Sequence, residues 1–195
     1  MSFSSRGFIT KLSNFVAGSP SLSFSNVAAL QATNRFFALI KGATSEYLVG
    51  GMHSLTSQPY NLGLYSYNMT IGGLNWIMMN NQNVAGNQLG ITQLSYQTFS
   101  NIKYLYACGD TMNNVNVEGV LIVTMQMNGP DFPTNIRPYI HKEGDLSPIQ
   151  CLDILATDID RFRVLAFESN HKIGKLLEVN LGTAGGPQYR IFDFT

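Results

Sequence analysis

Charge is what this chain has least of. Lysines and arginines number 12, aspartates and glutamates 12, and together they make up 12% of 195 residues, where an ordinary soluble domain carries about 25%. From Tyr47 to Ile102 there is no Asp, Glu, Lys or Arg at all. A formal net charge of +0 supplies no field to draw in a nucleic acid or an anionic bilayer, so no specific nucleic-acid partner is expected. Long apolar runs are missing too. None approaches the roughly 20 residues of a spanning helix, and no membrane insertion is expected. With 45% hydrophobic residues the chain also lies outside the disordered class, which combines low hydrophobicity with high net charge.

Cysteine is nearly absent. Cys108 and Cys151 can form one disulfide. The opening, MSFSSRGFITKLSNFVAGSP, has its apolar residues interrupted by Thr10, Lys11, Ser13 and Asn14, which leaves no apolar core of a secretory signal. The expectation is a chain made in a reducing cytoplasm, with both thiols free and buried.

Catalytic signatures are lacking as well. There is no G-x-S-x-G, no Walker glycine loop, no H-E-x-x-H and no G-x-G-x-x-G. His53, His141 and His171 stand far apart and read as polar surface, so no metal site, no cofactor and no catalytic residue is expected. Asp158-Ile159-Asp160 is a D-x-D, a motif that can hold a divalent cation with a sugar nucleotide. It lacks the α/β surroundings for that and reads as a solvated helix-to-strand loop answered by Arg161 and Arg163. The HKEGD stretch, 141 to 145, reads as an exposed turn. Asn68-Met69-Thr70 matches a glycosylation sequon, but inside a strand.

What is present is alternation. Tyr65, Tyr67, Met69 and Ile71 alternate with Ser66, Asn68 and Thr70, the period of a half-buried strand. Gly72-Gly73 follows, then Leu74, Trp76 and Met78 in phase, so a hairpin with a two-residue loop is expected. Tyr65, Tyr67 and Trp76 could stack on a sugar, yet Tyr65 and Tyr67 share their parity with Met69 and Ile71 and read as core. In VNVEGVLIVTMQMNGP, Val115, Val117, Leu121, Val123, Met125 and Met127 share the inward parity, with a bulge expected at Gly119. Further strands are expected at FFALI, EYLVG, IKYLYA, FRVLAFE, KLLEVNL and YRIFDFT. The fold expected is all-β, an antiparallel sandwich or barrel.

Two segments carry helical spacing instead. Ser147 as N-cap, Pro148 at the first helical position and the stripe Ile149, Leu152, Leu155, Ala156, Ile159 predict a short helix near 148–157. Phe8, Ile9, Leu12, Phe15 and Val16, ended by Gly18, predict a second near 7–17. The Ser-rich GSPSLSFS then acts as a linker. Residues 1–24 are thus read as an N-terminal arm and 25–195 as one β-rich domain, a size sufficient for a real core.

A surface of amides and hydroxyls is cheaper to desolvate than a charged one, and suits faces that end against neighbours. The candidate interface residues are Phe8, Ile9, Leu12 and Phe15 of the arm and the amide run Asn80, Asn81, Gln82 and Asn83. Low charge, amide-rich loops, the helix-then-strand stretch SPIQCLDILATDIDRFRVLAFE and the long strand 115 to 127 together resemble the β-sandwich-plus-helix domains of tailed-bacteriophage tail-tube and baseplate proteins. The resemblance is one of layout, without a signature motif, and capsid decoration proteins and fibre heads fit the same description. It implies a non-enzymatic structural component of a virus particle, localised in the virion. Its partners would be copies of itself and other virion proteins. The alternative is a receptor- or carbohydrate-binding module at a fibre tip, with a host surface glycan as partner.

Overall fold

Alternating apolar residues punctuated by Gly, Asn and Pro favour short strands, and strands are what form. The computed structural model describes residues 8–13, 21–26, 33–41, 46–54, 61–68, 73–80, 88–112, 117–128, 132–141, 149–168, 170–184 and 186–194. Among them are fourteen strands and no helix. A hairpin of β1 (Phe8–Ser13) and β2 (Ser21–Asn26) comes first. Three four-stranded meanders follow. The first sheet holds β3 (Thr33–Lys41), β4 (Glu46–Ser54), β5 (Asn61–Asn68) and β6 (Gly73–Asn80). The middle sheet holds β7 (Gln88–Phe99), β8 (Ile102–Met112), β9 (Val117–Asn128) and β10 (Phe132–His141). The last holds β11 (Ile149–Asp158), β12 (Arg161–Glu168), β13 (Ile173–Asn180) and β14 (Gln188–Phe194). Within every sheet each strand pairs antiparallel with the next in sequence. The fold is the expected all-β one, sandwich-like, with no closed barrel among the described residues.

The middle and last sheets pack face to face. Tyr106, Cys108, Val120 and Ile122 of the middle sheet meet Ile149, Ile154, Phe162, Val164, Leu177 and Val179 of the last. On its other face the middle sheet buries Ile91, Leu94, Leu105, Ala107, Val123, Met125 and Met127, with Ile40 of β3 packed against them. A central sheet covered on both sides needs apolar residues at both parities. Val123, Met125 and Met127 are buried as expected, but so are Val120, Ile122 and Thr124 of the opposite parity. The anticipated bulge is present. Thr111 pairs with Gly119 and Met112 with Val117, leaving Glu118 without an opposite residue.

Several expectations change. The segment near 148–157 is strand β11, not a helix. Its bulges, between Cys151 and Asp153 and between Ala156 and Asp158, break the period of two. Ile149, Cys151, Ile154 and Ala156 are buried while Leu152 and Leu155 stay exposed, so the apparent helical stripe mixes residues of two sheet faces. The N-terminal helix near 7–17 is also replaced, over residues 8–13, by β1, which pairs Phe8 with Asn26 and Ser13 with Ser21. Leu22 and Phe24 alternate with Ser21, Ser23 and Ser25, and over these residues the supposed linker is strand β2, its first three residues lying outside those described. The β5–β6 hairpin exists, but Asn68 pairs with Gly73, so Gly73 belongs to β6 and not to a two-residue Gly-Gly loop. Two-residue turns lie elsewhere, at Ser100-Asn101 and at Ile159-Asp160. Phe99 pairs with Ile102, and φ is 48° at Ser100 and 64° at Asn101, as a primed hairpin turn requires.

Cys108 and Cys151 form a disulfide with Cα atoms 6.1 Å apart, contrary to the expected free thiols. Both side chains point into the interface between β8 and β11, so burial and proximity come together there. Cys151 N–H donates to Asp110 Oδ1 at 2.9 Å, and the Thr92 hydroxyl donates to the carbonyls of Cys108 and Cys151.

Candidate interaction surface

The last sheet has one face on the core and one face open. Alternation along β12 decides which residue goes where: Phe162, Val164 and Ala166 are buried, and Arg161, Arg163 and Leu165 are exposed. The register then lines up outward rows. Asp153, Leu165, Leu176 and Phe192 make one row across the four strands, and Gln150, Phe167, Gly174 and Phe194 the next. Phe194 approaches the position where Gly174 lacks a side chain, so the ring lies over bare backbone. Leu152, left unpaired by the first bulge, and Leu155 complete the patch. Leu152, Leu155, Leu165, Phe192 and Phe194 are between 40% and 53% exposed. Singly exposed apolar residues mean nothing, but several on one sheet face make a candidate contact surface.

The other end of this face is polar. Arg161, Arg163, Asn180, Gln188 and Arg190 line an open groove of ≈ 660 Å³. Arg163 pairs with Glu178 at 2.8 Å. An exposed pair of this kind is worth little in stability, on the order of 0 to 1 kcal/mol. Its arginine still offers a planar donor fork to a carboxylate, phosphate or sugar hydroxyl.

Two further clusters are structural in character. Lys175, buried, reaches Glu168 at 3.1 Å and Asp193 at 3.0 Å, tying β12, β13 and β14 together. His171 pairs with the same Glu168. Breaking one partner of such a buried pair strands a charge and is costly. Asp160 pairs with Arg137 across the two sheets, and burial pushes the Tyr106 phenol up. That phenol stays protonated and donates to the carbonyls of Asp158 and Ile159. The D-x-D is therefore a strand-to-strand turn. Its arginine partner is Arg137, because Arg163 is engaged by Glu178. His141 is buried edge-on to Tyr189, where a surface position was expected. Among the described residues no group of three or more His, Cys, Asp or Glu is placed to hold a metal ion. Nor is any helix there long and apolar enough to cross a membrane.

None of the expected interface residues belongs to a strand of the last sheet. Phe8, Ile9 and Leu12 lie on β1, and Asn80 ends β6. Phe15, Asn81, Gln82 and Asn83 lie outside the described residues. The open face draws instead on YRIFDFT and FRVLAFE, read from sequence as ordinary strands. Its signal was there in β14, where Phe192 and Phe194 share one parity and Tyr189 and Ile191 the other, more apolar residues than a sheet with one buried face can use. No family model, no curated protein and no solved structure matches the chain.

Proposed function

We propose that this chain is a non-enzymatic structural protein that works by assembling with copies of itself, in a virus particle such as a bacteriophage tail, baseplate or capsid. The observation that carries the reading is the open apolar face of the last sheet. Exposed leucines and phenylalanines in register are a liability to a monomer and an asset to a subunit. The scarcity of charge supports it, because a surface bound for desolvation does best without Lys, Glu and Asp. A disulfide between the sheets fits a particle that works outside a reducing cytoplasm, virion surfaces being one place where disulfides persist.

The test is to place charge on the face. Leu165→Lys leaves a half-exposed position folded, so the melting temperature is expected to hold. Self-association, followed by sedimentation, is expected to fall because the new charge is buried unpaired at each contact. Undiminished association in this variant and in Phe192→Lys would remove the apolar face from the account.

A second reading, a receptor- or carbohydrate-binding module, is favoured by the arginine- and amide-lined groove at the polar end of the same face. Binding of a soluble glycan that disappears in Arg163→Ala, with self-association intact, would establish it in place of the first.

A further inference from the structure

The edges of the four-stranded sheets are guarded, with one exception. These sheets are bounded by β3, β6, β7, β10, β11 and β14. β3 carries an extra residue between Phe36 and Ala38, β6 between Leu74 and Trp76, and β7 between Ile91 and Gln93. β10 is bulged between Thr134 and Arg137 and holds Pro133 and Pro138. β11 is bulged twice. A bulge or a proline on an edge disrupts the row of N–H and C=O groups that would otherwise take up another strand. β14 has neither. It pairs with β13 in unbroken register, from Phe194 opposite Gly174 to Gln188 opposite Asn180. Among the described residues β13 is its one neighbour in the sheet, and all 7 of its residues are exposed.

The charges on β14 do not guard it either. Asp193 is held at 3.0 Å by Lys175, and Arg190 stands opposite Glu178. The strand, QYRIFDF, is moreover complementary to itself. Laid antiparallel on a second copy about Ile191, it sets Gln188 opposite Phe194, Tyr189 opposite Asp193 and Arg190 opposite Phe192. The centre is then apolar against apolar, a phenol meets a carboxylate, and a guanidinium meets an aromatic ring. Opposite residues must share a sheet face, so the register slips only two residues at a time. One slip puts Arg190 opposite itself. The other puts Asp193 against Ile191, and each shortens the ladder. Like charges in opposition and a carboxylate set on an apolar partner are both unfavourable.

We infer that β14 pairs antiparallel with β14 of a second copy, centred on Ile191, so that two last sheets fuse into one. The inference rests on the self-assembly reading and gives it a contact. Such an interface is isologous, one strand used twice about a two-fold axis, and main-chain hydrogen bonds supply its affinity. Leu165, Phe192 and Phe194 of both copies then share one continuous outer face.

The experiment is cysteine cross-linking of the full chain under mild oxidation. Its own two cysteines are already joined, so the introduced thiols are the ones that react. Ile191→Cys brings the two thiols of a pair together, since directly opposite Cβ atoms lie roughly 4.5 to 5.5 Å apart. It is expected to form a covalent dimer at least about tenfold faster than Gln188→Cys, whose two thiols would lie about 20 Å apart along the paired strands. Gln188→Cys mixed with Phe194→Cys is expected to cross-link where neither does so alone. On the unaltered chain, hydrogen exchange is expected to show further β14 amides protected as concentration rises. That readout decides the matter should Ile191→Cys melt early. Association of the unaltered chain with β14 exchange unchanged, or with Ile191→Cys reacting no faster than Gln188→Cys, overturns the strand pairing and leaves self-assembly standing. An unaltered chain that never associates overturns both.

Discussion

At the scale of single residues, β7 and β8 leave the least room at any described glycine. A Cβ on Gly109 would sit 1.5 Å from the carbonyl oxygen of Gly90, next to the bulge between Ile91 and Gln93. No rotamer relieves a clash with backbone, so Gly109→Ala is expected to destabilise by more than about 4 kcal/mol, among the largest single-residue effects. Denaturant titration showing a loss below about 1 kcal/mol would mean the two strands separate freely. Beside it, burial pushes the Asp110 carboxyl up from 3.8, and the Cys151 N–H offsets that in part. A carboxyl whose folded pKa is raised binds its proton more tightly folded than unfolded. Its contribution to stability is therefore full below 3.8 and is lost as pH rises through the raised folded value. Asp110→Asn keeps an oxygen for the Cys151 N–H and is expected to flatten that decline. Urea titrations of both proteins, stepped upward in pH from about 3.5, check it: parallel profiles would show that Asp110 is as well solvated as an unfolded carboxylate.

At the scale of elements, the strands with unbroken alternation were the legible ones. FFALI, EYLVG, IKYLYA, FRVLAFE, KLLEVNL and YRIFDFT all became strands. The β11 segment failed because two bulges shift its parity, and a shifted period of two imitates helical spacing at Ile149, Leu152 and Leu155. β10 went unread because Pro133 and Pro138 argue against a strand. It is an edge of the middle sheet, where a missing N–H can face away from the ladder. β9 was read with one inward face, whereas contacts from sheets on both sides decide its environment, and no local pattern encodes them. That difference is measurable. Ile122→Ala and Val123→Ala, on opposite faces, are each expected to cost roughly 1 to 4 kcal/mol through lost burial and cavity formation. A negligible cost for either one would mean that face is solvated.

At the scale of the whole molecule, the disulfide between β8 and β11 joins the middle and last sheets across 43 residues of sequence. Replacing Cys108 and Cys151 together with alanine is expected to remove about 2 to 4 kcal/mol, chiefly by freeing the unfolded chain. An unchanged denaturation midpoint for the double variant would show that the native state does not depend on the link. Scarce charge led to an expectation of association, placed on the amide run and the arm. The open face of the last sheet is a further candidate, passed over because apolar residues in strands are ordinarily assigned to the core. Phe192 and Phe194 look like core by their alternation, and the structure leaves them 45% and 47% exposed. The central claim is that this chain assembles with itself, and the mass in solution reports on it directly. Light scattering on the purified, unaltered protein over rising concentration is expected to give masses that climb through multiples of 21.5 kDa. A mass fixed at 21.5 kDa across the whole range would contradict the account.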